Sequence, residues 1–460
     1  MLNEKSKRNI SILLGDPRKA IIKLSLPIIV GSMVQTLYNF VDGVWVAGVG
    51  SDSLGAVGLF MPFMLILSSL AMGIGVGGSS AISRAIGSGN RKRAGNVAEH
   101  TLIVGTLIGT AIAFAILPFL KGIFLAMGAS ERISELAYSY GTVIILGSPL
   151  MFISSLGNAI LRGEGDTRRA MYIMLTSSLI NMFLDPVFIF TLGMGVVGAA
   201  VATVISIAVS AAFITYWLTV KRDTYVQLRL KYFKRDFEIL REIFSVGFPS
   251  ALAQISMAFT MLVLNTIVIM VGGDYGISVF SGGWRIVMLA IVPLMGIAAA
   301  VTSVTGAAYG ARNSYNLRIS YLYGVKIGTL IGLVTGILIW IFAPQLAYLF
   351  TYTEQSSYLA GGIIEFLRYM VIYFPAVASG MLTSSMFRGI GRGLNSLLIT
   401  IIRALVMQII FAYFFGIFLG FGLAGVWMGI VIANLIASSF AILWGVHTVN
   451  SLARSWEIKS

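Results

Sequence analysis

Long apolar runs separated by short polar stretches recur along the whole chain. Twelve of them exceed about 18 residues, and a helix needs roughly 20 to cross a hydrocarbon layer. They fall near 21–48, 56–83, 100–120, 136–160, 171–192, 196–219, 243–271, 276–308, 318–343, 361–386, 395–415 and 423–446. The predicted fold class is all-α, a polytopic membrane protein of twelve transmembrane helices. The first run reads as a retained span and not a cleaved leader. It is long, carries Pro27, Gln35, Asn39 and Asp42, and lacks a small-residue cleavage site after a short apolar core.

Composition agrees with lipid as the solvent: 57% of residues are hydrophobic and 11% charged, with mean hydropathy +0.91. The net charge of +14 would suggest nucleic acid only if the basic residues shared one solvated face. Instead they sort by loop. Taking alternate loops as opposite sides puts 26 Lys and Arg with the N-terminus and only Lys121 and Arg132 on the other side. Arg285, Lys326, Arg368 and Arg403 fall within helices or at their ends. The positive-inside rule then expects both termini in the cytoplasm, a multi-pass protein of the cell membrane, and no nucleic-acid partner. With no cysteine, disulfides, thiolate catalysis and Cys-ligated metals are absent together.

Comparing the chain with itself at an offset of 222 to 227 residues aligns ordered landmarks. Leu26-Pro27 pairs with Phe248-Pro249, and Ile86-Gly87-Ser88-Gly89-Asn90 with Tyr309-Gly310-Ala311-Arg312-Asn313. Pro149 pairs with Pro375, followed in each half by Arg162-Gly163-Glu164-Gly165 or Arg388-Gly389-Ile390-Gly391. Six helices per half make both halves enter from the same side, so a pseudo-two-fold along the membrane normal should relate two six-helix lobes. The expected division is 1–220 for the N-lobe, 221–242 for a basic linker and 243–460 for the C-lobe. Isolated packing glycines are common in membrane helices. Unrelated ones would not keep their order twice.

Nearly all acidic residues lie in loops or at helix ends; Asp42 in the first span and Asp185 in the fifth do not. An ionisable group at such depth is costly and marks a functional candidate. Helical spacing stacks Gln35, Tyr38, Asn39 and Asp42 on one stripe, and Ser177, Ser178, Asn181 and Asp185 on another. Pro186 withholds a helical hydrogen bond and frees a carbonyl near Met182. At 1.5 Å per residue Asp42 lies roughly 28 Å beyond Lys23, and Asp185 roughly 24 Å beyond Arg169. Tyr140 and Thr203 should reach a similar layer from the fourth and sixth spans. Shifting by the repeat puts Leu264 opposite Asp42 and Phe411 or Ala412 opposite Asp185, so coupling-ion chemistry is expected in the N-lobe alone. Two carboxylates in one apolar site suit protons, because protonation relieves both desolvation and repulsion, and they would titrate as a pair. Sodium is the alternative ion at Asp42, Asn181, Asp185 and Thr203, since carboxylate, amide and hydroxyl oxygens also suit a hard cation. Gln254, Asn265, Arg285, Arg403, Gln408 and Asn434 are the polar candidates in the C-lobe; bonding between helices explains isolated Asn and Gln equally well.

These residues resemble the multidrug and toxic compound extrusion (MATE) transporters, most closely the DinF-like branch with its archaeal members. The resemblance covers nearly the whole chain. It rests on Pro27 with Gln35, Tyr38, Asn39 and Asp42, on Arg162-Gly163-x-Gly165-Asp166, on Asn181 with Asp185, and on the six-plus-six repeat. It implies a two-bundle MATE-type fold alternating between outward-open and inward-open states. It also implies an ion network at Asp42, Tyr140, Asn181, Asp185 and Thr203, and substrate contacts at Gln35, Tyr38 and Asn158. Asn39, on the stripe of Gln35 and Tyr38, joins the expected substrate contacts, and the first span is expected to bend near Pro27 during transport. Other branches carry acidic ion ligands in spans 7 and 10; this chain has none at depth there.

The expected function is export of amphiphilic or cationic organic compounds, driven by inward protons or sodium, by a monomer embedded in membrane lipid that needs no cofactor. A lipid-linked oligosaccharide flippase is the rival within transport, and would want a more cationic cavity than Arg285 and Arg403 provide. An integral membrane enzyme would need a nucleophile with its base or a metal cluster. His100 and His447 are peripheral, and nothing else supplies one.

Overall fold

A computed structural model describes residues 4–221, 223–228, 233 and 235–457, apart from the side chain of Lys5. The basic residues Arg222, Arg229, Lys231, Lys234 and Lys459 of the topology argument lie outside the described residues. The described residues form helices joined by loops, with no strand. A short helix α1 (Glu4–Leu14) precedes α2 (Pro17–Ala47), α3 (Ser51–Gly87), α4 (Arg91–Ile116) with its continuation α5 (Leu120–Ala126), and the pair α6 (Glu131–Leu146) and α7 (Ser148–Gly163). Then come α8 (Thr167–Pro186), α9 (Gly195–Thr215), α10 (Phe237–Gly310), α11 (Ser314–Ile341), α12 (Ala343–Thr351), the pair α13 (Ala360–Tyr369) and α14 (Tyr373–Gly389), α15 (Gly393–Thr400), α16 (Gln408–Tyr413) and α17 (Gly422–Glu457).

Among the described residues nine helices are long and apolar enough to cross a membrane. The 74-residue α10 breaks at Gly273, φ 54° and ψ −147°, and therefore supplies two spans; only glycine takes that backbone without strain. The pairs α6 with α7, bent by 52°, and α13 with α14, bent by 50°, supply one more each, which makes twelve among the described residues. Outward-facing Phe40, Phe183, Leu262 and Leu443 are largely exposed, an arrangement that water would penalise and hydrocarbon does not. This is a multi-pass membrane protein.

The chain forms two compact units, and they are not its two sequence halves. One comprises Met1–Leu13 and Leu26–Ala251, the other Leu14–Ser25 and Leu252–Ser460. The expected limits at 220 and 243 therefore shift: the linker and the start of α10 belong with the first unit, and the start of α2 with the second. Of the three points where the chain passes between units, the two in helix interiors fall beside a proline, Pro27 in α2 and Pro249 in α10. Each proline forgoes one helical hydrogen bond at that point.

Each unit has its own core. In the first, Phe60, Phe124, Tyr140 and Ile144 cluster between α3, α5 and α6. Small residues let the start of α10 lie directly on α3: a Cβ on Gly73 would come within 2.6 Å of Gly247 O, and one on Gly77 within 2.1 Å of Ile243 O. Glu242 fixes the same contact, accepting from Arg84 Nη2 at 2.8 Å and Arg93 Nη2 at 2.9 Å. In the second unit Trp427 stacks on Phe280, ring centres 5.5 Å apart, and meets Phe366 edge-on at 4.8 Å.

Candidate functional site

Three helices and a half-span of the first unit bring the N-lobe candidates together. On α8, Ser178, Asn181 and Asp185 occupy the buried stripe that their spacing predicts, and Asp185 has no exposed surface. The helix passes through Pro186 into a wide π-turn over Val187–Thr191, whose Ile189 packs with Val46 and Ala199 and so seats the end of α2 and the start of α9 around the carboxylate. Asp42 on α2 is half-buried and faces Asp185 closely enough to interact with it directly. Asn181 donates from Nδ2 to Thr203 Oγ1 of α9 at 3.3 Å. Tyr38 lies beside Thr203, and both Tyr38 and Tyr140 of α6 are within electrostatic reach of the two carboxyl groups. Tyr140 is held edge-on by Phe60 at 5.6 Å.

This cluster leaves several polar atoms unpaired. Asp42 Oδ1, Asn181 Oδ1 and both oxygens of Asp185 are buried without a hydrogen-bond partner. Buried polar atoms are normally paired, and each unpaired one needs a reason. Four buried acceptor oxygens left unpaired are what a proton or a hard cation completes. The indole Nε1 of Trp45, one turn beyond Asp42, is also unpartnered; nothing in the residue spacing had singled it out, though its position on the Asp42 stripe was readable.

The other candidates divide. Gln35 and Asn39 are exposed on α2, two turns and one turn before Asp42 respectively, where a bound molecule has access to them. Asn158 is elsewhere. Its Nδ2 donates to Ala170 O at 3.0 Å, and its Oδ1 accepts from Arg162 Nη1. Ala170 precedes Asp185 by about 22 Å along α8, so Asn158 belongs to the linker end of the unit and its amide is committed at both ends. The structure thus sets Asn158 apart from the cluster around Asp42 and Asp185.

A second polar cluster surrounds that linker end, and sequence reasoning passed over it. Glu164 is buried, and its Oε2 accepts from Val226 N at 2.9 Å. Arg169 Nη2 donates to Asp223 Oδ2 at 2.5 Å, Lys221 Nζ approaches the same oxygen at 3.4 Å, and Ser6 Oγ of α1 donates to Asp223 O at 2.5 Å. Gly165 at φ +83° turns the loop beneath Asn9 and Leu13. Burial, with Asp166 alongside, pushes the Glu164 carboxyl up to about 8. Burial also opposes ionisation of Asp223, but Arg169 and Lys221 outweigh it and hold that carboxyl below the usual range. The available signal was the departure from the repeat, where Glu164 stands against Ile390 and Asp166 against Arg392.

In the second unit Arg403 Nη1 donates to Asn434 Oδ1 at 2.9 Å, while Arg285 is exposed. No acid lies at the positions equivalent to Asp42 and Asp185, which are the buried Leu264 and Ala412.

A Thermotoga maritima protein described as a probable multidrug resistance protein NorM is 28% identical over 437 residues, covering 93% of this chain and 92% of that one. Among solved structures, a MATE protein in complex with MaL6 shares 49% identity with a TM-score of 0.95 over 97% of this chain and 99% of its own. A MOP superfamily transporter from Pyrococcus furiosus, whose binding pocket of reverse polarity is said to suggest a different function, shares 48% identity with a TM-score of 0.93 over 98% and 99%. The MatE family model matches residues 27–187 and again 249–414, one match in each half and in the register of the internal repeat; the chain belongs to the MatE family.

Proposed function

We propose that this chain is a multidrug exporter, a secondary antiporter that moves amphiphilic or cationic organic compounds outward in exchange for inward protons, with sodium as the alternative coupling ion. The observation that carries the reading is the pairing of Asp42 with Asp185, where four buried acceptor oxygens have no donor. A relative described as a multidrug resistance protein, matching over nearly its full length, supports the choice of cargo. Coupling requires only that ion and cargo prefer different states of the protein.

In this reading protons entering from outside neutralise the Asp42 and Asp185 pair and remove the repulsion between α2 and α8. Pro27, where α2 changes partner, takes up the bend. Gln35, Tyr38 and Asn39 then withdraw from the bound molecule, which leaves outward. Deprotonation toward the cytoplasm restores two negative charges, which favour the next cationic cargo. The transporter works as a monomer in the cell membrane, with both termini cytoplasmic.

The test is efflux from proteoliposomes under an imposed pH gradient and, separately, a sodium gradient, for wild type, Asp42→Asn and Asp185→Asn. One gradient should drive export, and both substitutions should abolish it. Full gradient-driven export in both variants would overturn the site. No drug movement by folded wild-type protein would overturn the cargo and point to a lipid-linked oligosaccharide flippase.

A further inference from the structure

The second unit carries a charge that the ion site does not explain. Arg403 lies about 15 Å into the eleventh span, counted from Gly393, and only 5% of it is exposed. Among the described residues no carboxylate forms an ion pair with it. The acids of that unit are Asp16, Asp274, Glu354, Glu365 and Glu457, all in loops or near helix ends and none of them at its depth. A buried cation without a counter-charge is costly, and membrane proteins keep such groups for a function.

The surroundings of Arg403 are arranged and incomplete. Asn434 of α17 presents Oδ1 to Nη1 at 2.9 Å, held in that orientation by donating its own Nδ2 to Ile430 O at 2.8 Å. That partner is neutral, so it orients the guanidinium without balancing it. Arg403 Nε has no acceptor, and Ser438 Oγ, one turn past Asn434 and 2% exposed, has no partner either. Both groups border the same glycine: a Cβ on Gly380 would meet Ser438 Oγ at 2.7 Å and Arg403 Nε at 3.3 Å. Tyr373 is within electrostatic reach. The backbone that carries Arg403 is a π-turn over Ile401–Met407, a geometry that recurs at functional sites because it re-aims side chains at an energetic cost.

We propose that Arg403, Asn434 and Ser438 form a binding site for a small monoanion within the second unit, filled by a halide or by the carboxylate of a bound amphiphile. A guanidinium Nε–H and a serine hydroxyl are both donors, the complement of the unpaired acceptor oxygens around Asp185. A single negative charge balances the arginine, and its two free donors set the geometry. The site is independent of the ion-coupling reading, since the two lie in different units.

The experiment is thermal unfolding of the full-length protein in detergent at constant ionic strength, in sodium gluconate, sodium chloride, sodium bromide, and gluconate with added octanoate. Ligand binding to the folded state raises the midpoint saturably. A saturable rise with chloride or bromide assigns the site to a halide; a rise with octanoate alone assigns it to the carboxylate of a cargo. Either response should vanish in Arg403→Gln. It should also vanish in Asn434→Asp, which sets an internal carboxylate against Nη1 and should raise the midpoint in gluconate. Asn434→Asp keeps the test decisive where Arg403→Gln does not fold. Equal midpoints in all four media, or an anion response retained in Asn434→Asp, would overturn the proposal.

Discussion

Asn181 donates its side-chain amide to Thr203 Oγ1 at 3.3 Å, tying α8 to α9 and leaving its own Oδ1 unpaired beside a fully buried Asp185. Thr203→Val keeps the volume but removes the acceptor. A lost hydrogen bond of this kind is worth about 1 kcal/mol, so the coupling ion should bind roughly fivefold more weakly. The dependence of export on pH or sodium in proteoliposomes reads this directly. An unchanged dependence would mean that Thr203 stands outside the ion network.

Asn158 is expected to matter for folding rather than for cargo. Removing it in Asn158→Ala deprives Arg162 of an acceptor and costs on the order of 1–3 kcal/mol, which should lower the unfolding midpoint. The surviving protein should export with an unchanged KM. A raised KM at an unchanged midpoint would return Asn158 to the substrate site.

Docking of the linker on the first unit should depend on pH in the sense set by Glu164. A carboxyl held up to about 8 by burial stabilises the docked form most below its ordinary value, and the contribution is lost as pH rises through about 8. The Asp223 pair acts oppositely and is lost as pH falls through its depressed range. Amide hydrogen exchange at Tyr225–Leu228 should therefore accelerate from pH 6.5 to pH 9 beyond its intrinsic rise, and Glu164→Gln should flatten the excess. Equal excess in both proteins would separate docking from this carboxyl.

Two glycines of α3 should respond oppositely to the same substitution. A Cβ on Gly77 would lie 2.1 Å from Ile243 O, whereas one on Gly58 meets nothing within 4 Å. Gly77→Ala must push α10 away and should cost about 1–3 kcal/mol, as overpacking does. Gly58→Ala should gain about 0.5–1 kcal/mol of helix propensity. Unfolding midpoints of the two variants against wild type decide it.

Asp42 and Asp185 were legible because their cost is a property of the medium: a carboxylate inside an apolar run is conspicuous wherever the rest of the chain goes. The stripes through Asn181 and Tyr38 followed from helical spacing. Asn158 was not legible. Its spacing places it on a helix face, but whether its amide meets cargo or Ala170 depends on the 52° bend between α6 and α7 and on how α8 lies against them. Glu164 looked like an ordinary loop acid, since burial by a linker 62 positions away leaves no local trace.

The sequence by itself determined the helical class, the twelve spans, their pairing into two repeats and the restriction of deep acids to one of them. Apolar length, periodicity and charge count are local quantities, and lipid imposes helices on any segment that crosses it. Only the tertiary structure decided that the units exchange the ends of α2 and α10 beside Pro27 and Pro249, that Asp42 faces Asp185, and that Arg403 has Asn434 but no acid. Those relationships are set by which helix faces meet. Contact between faces is a packing outcome, governed by small residues such as Gly73 and Gly77 that let backbones approach, and a linear pattern does not record it.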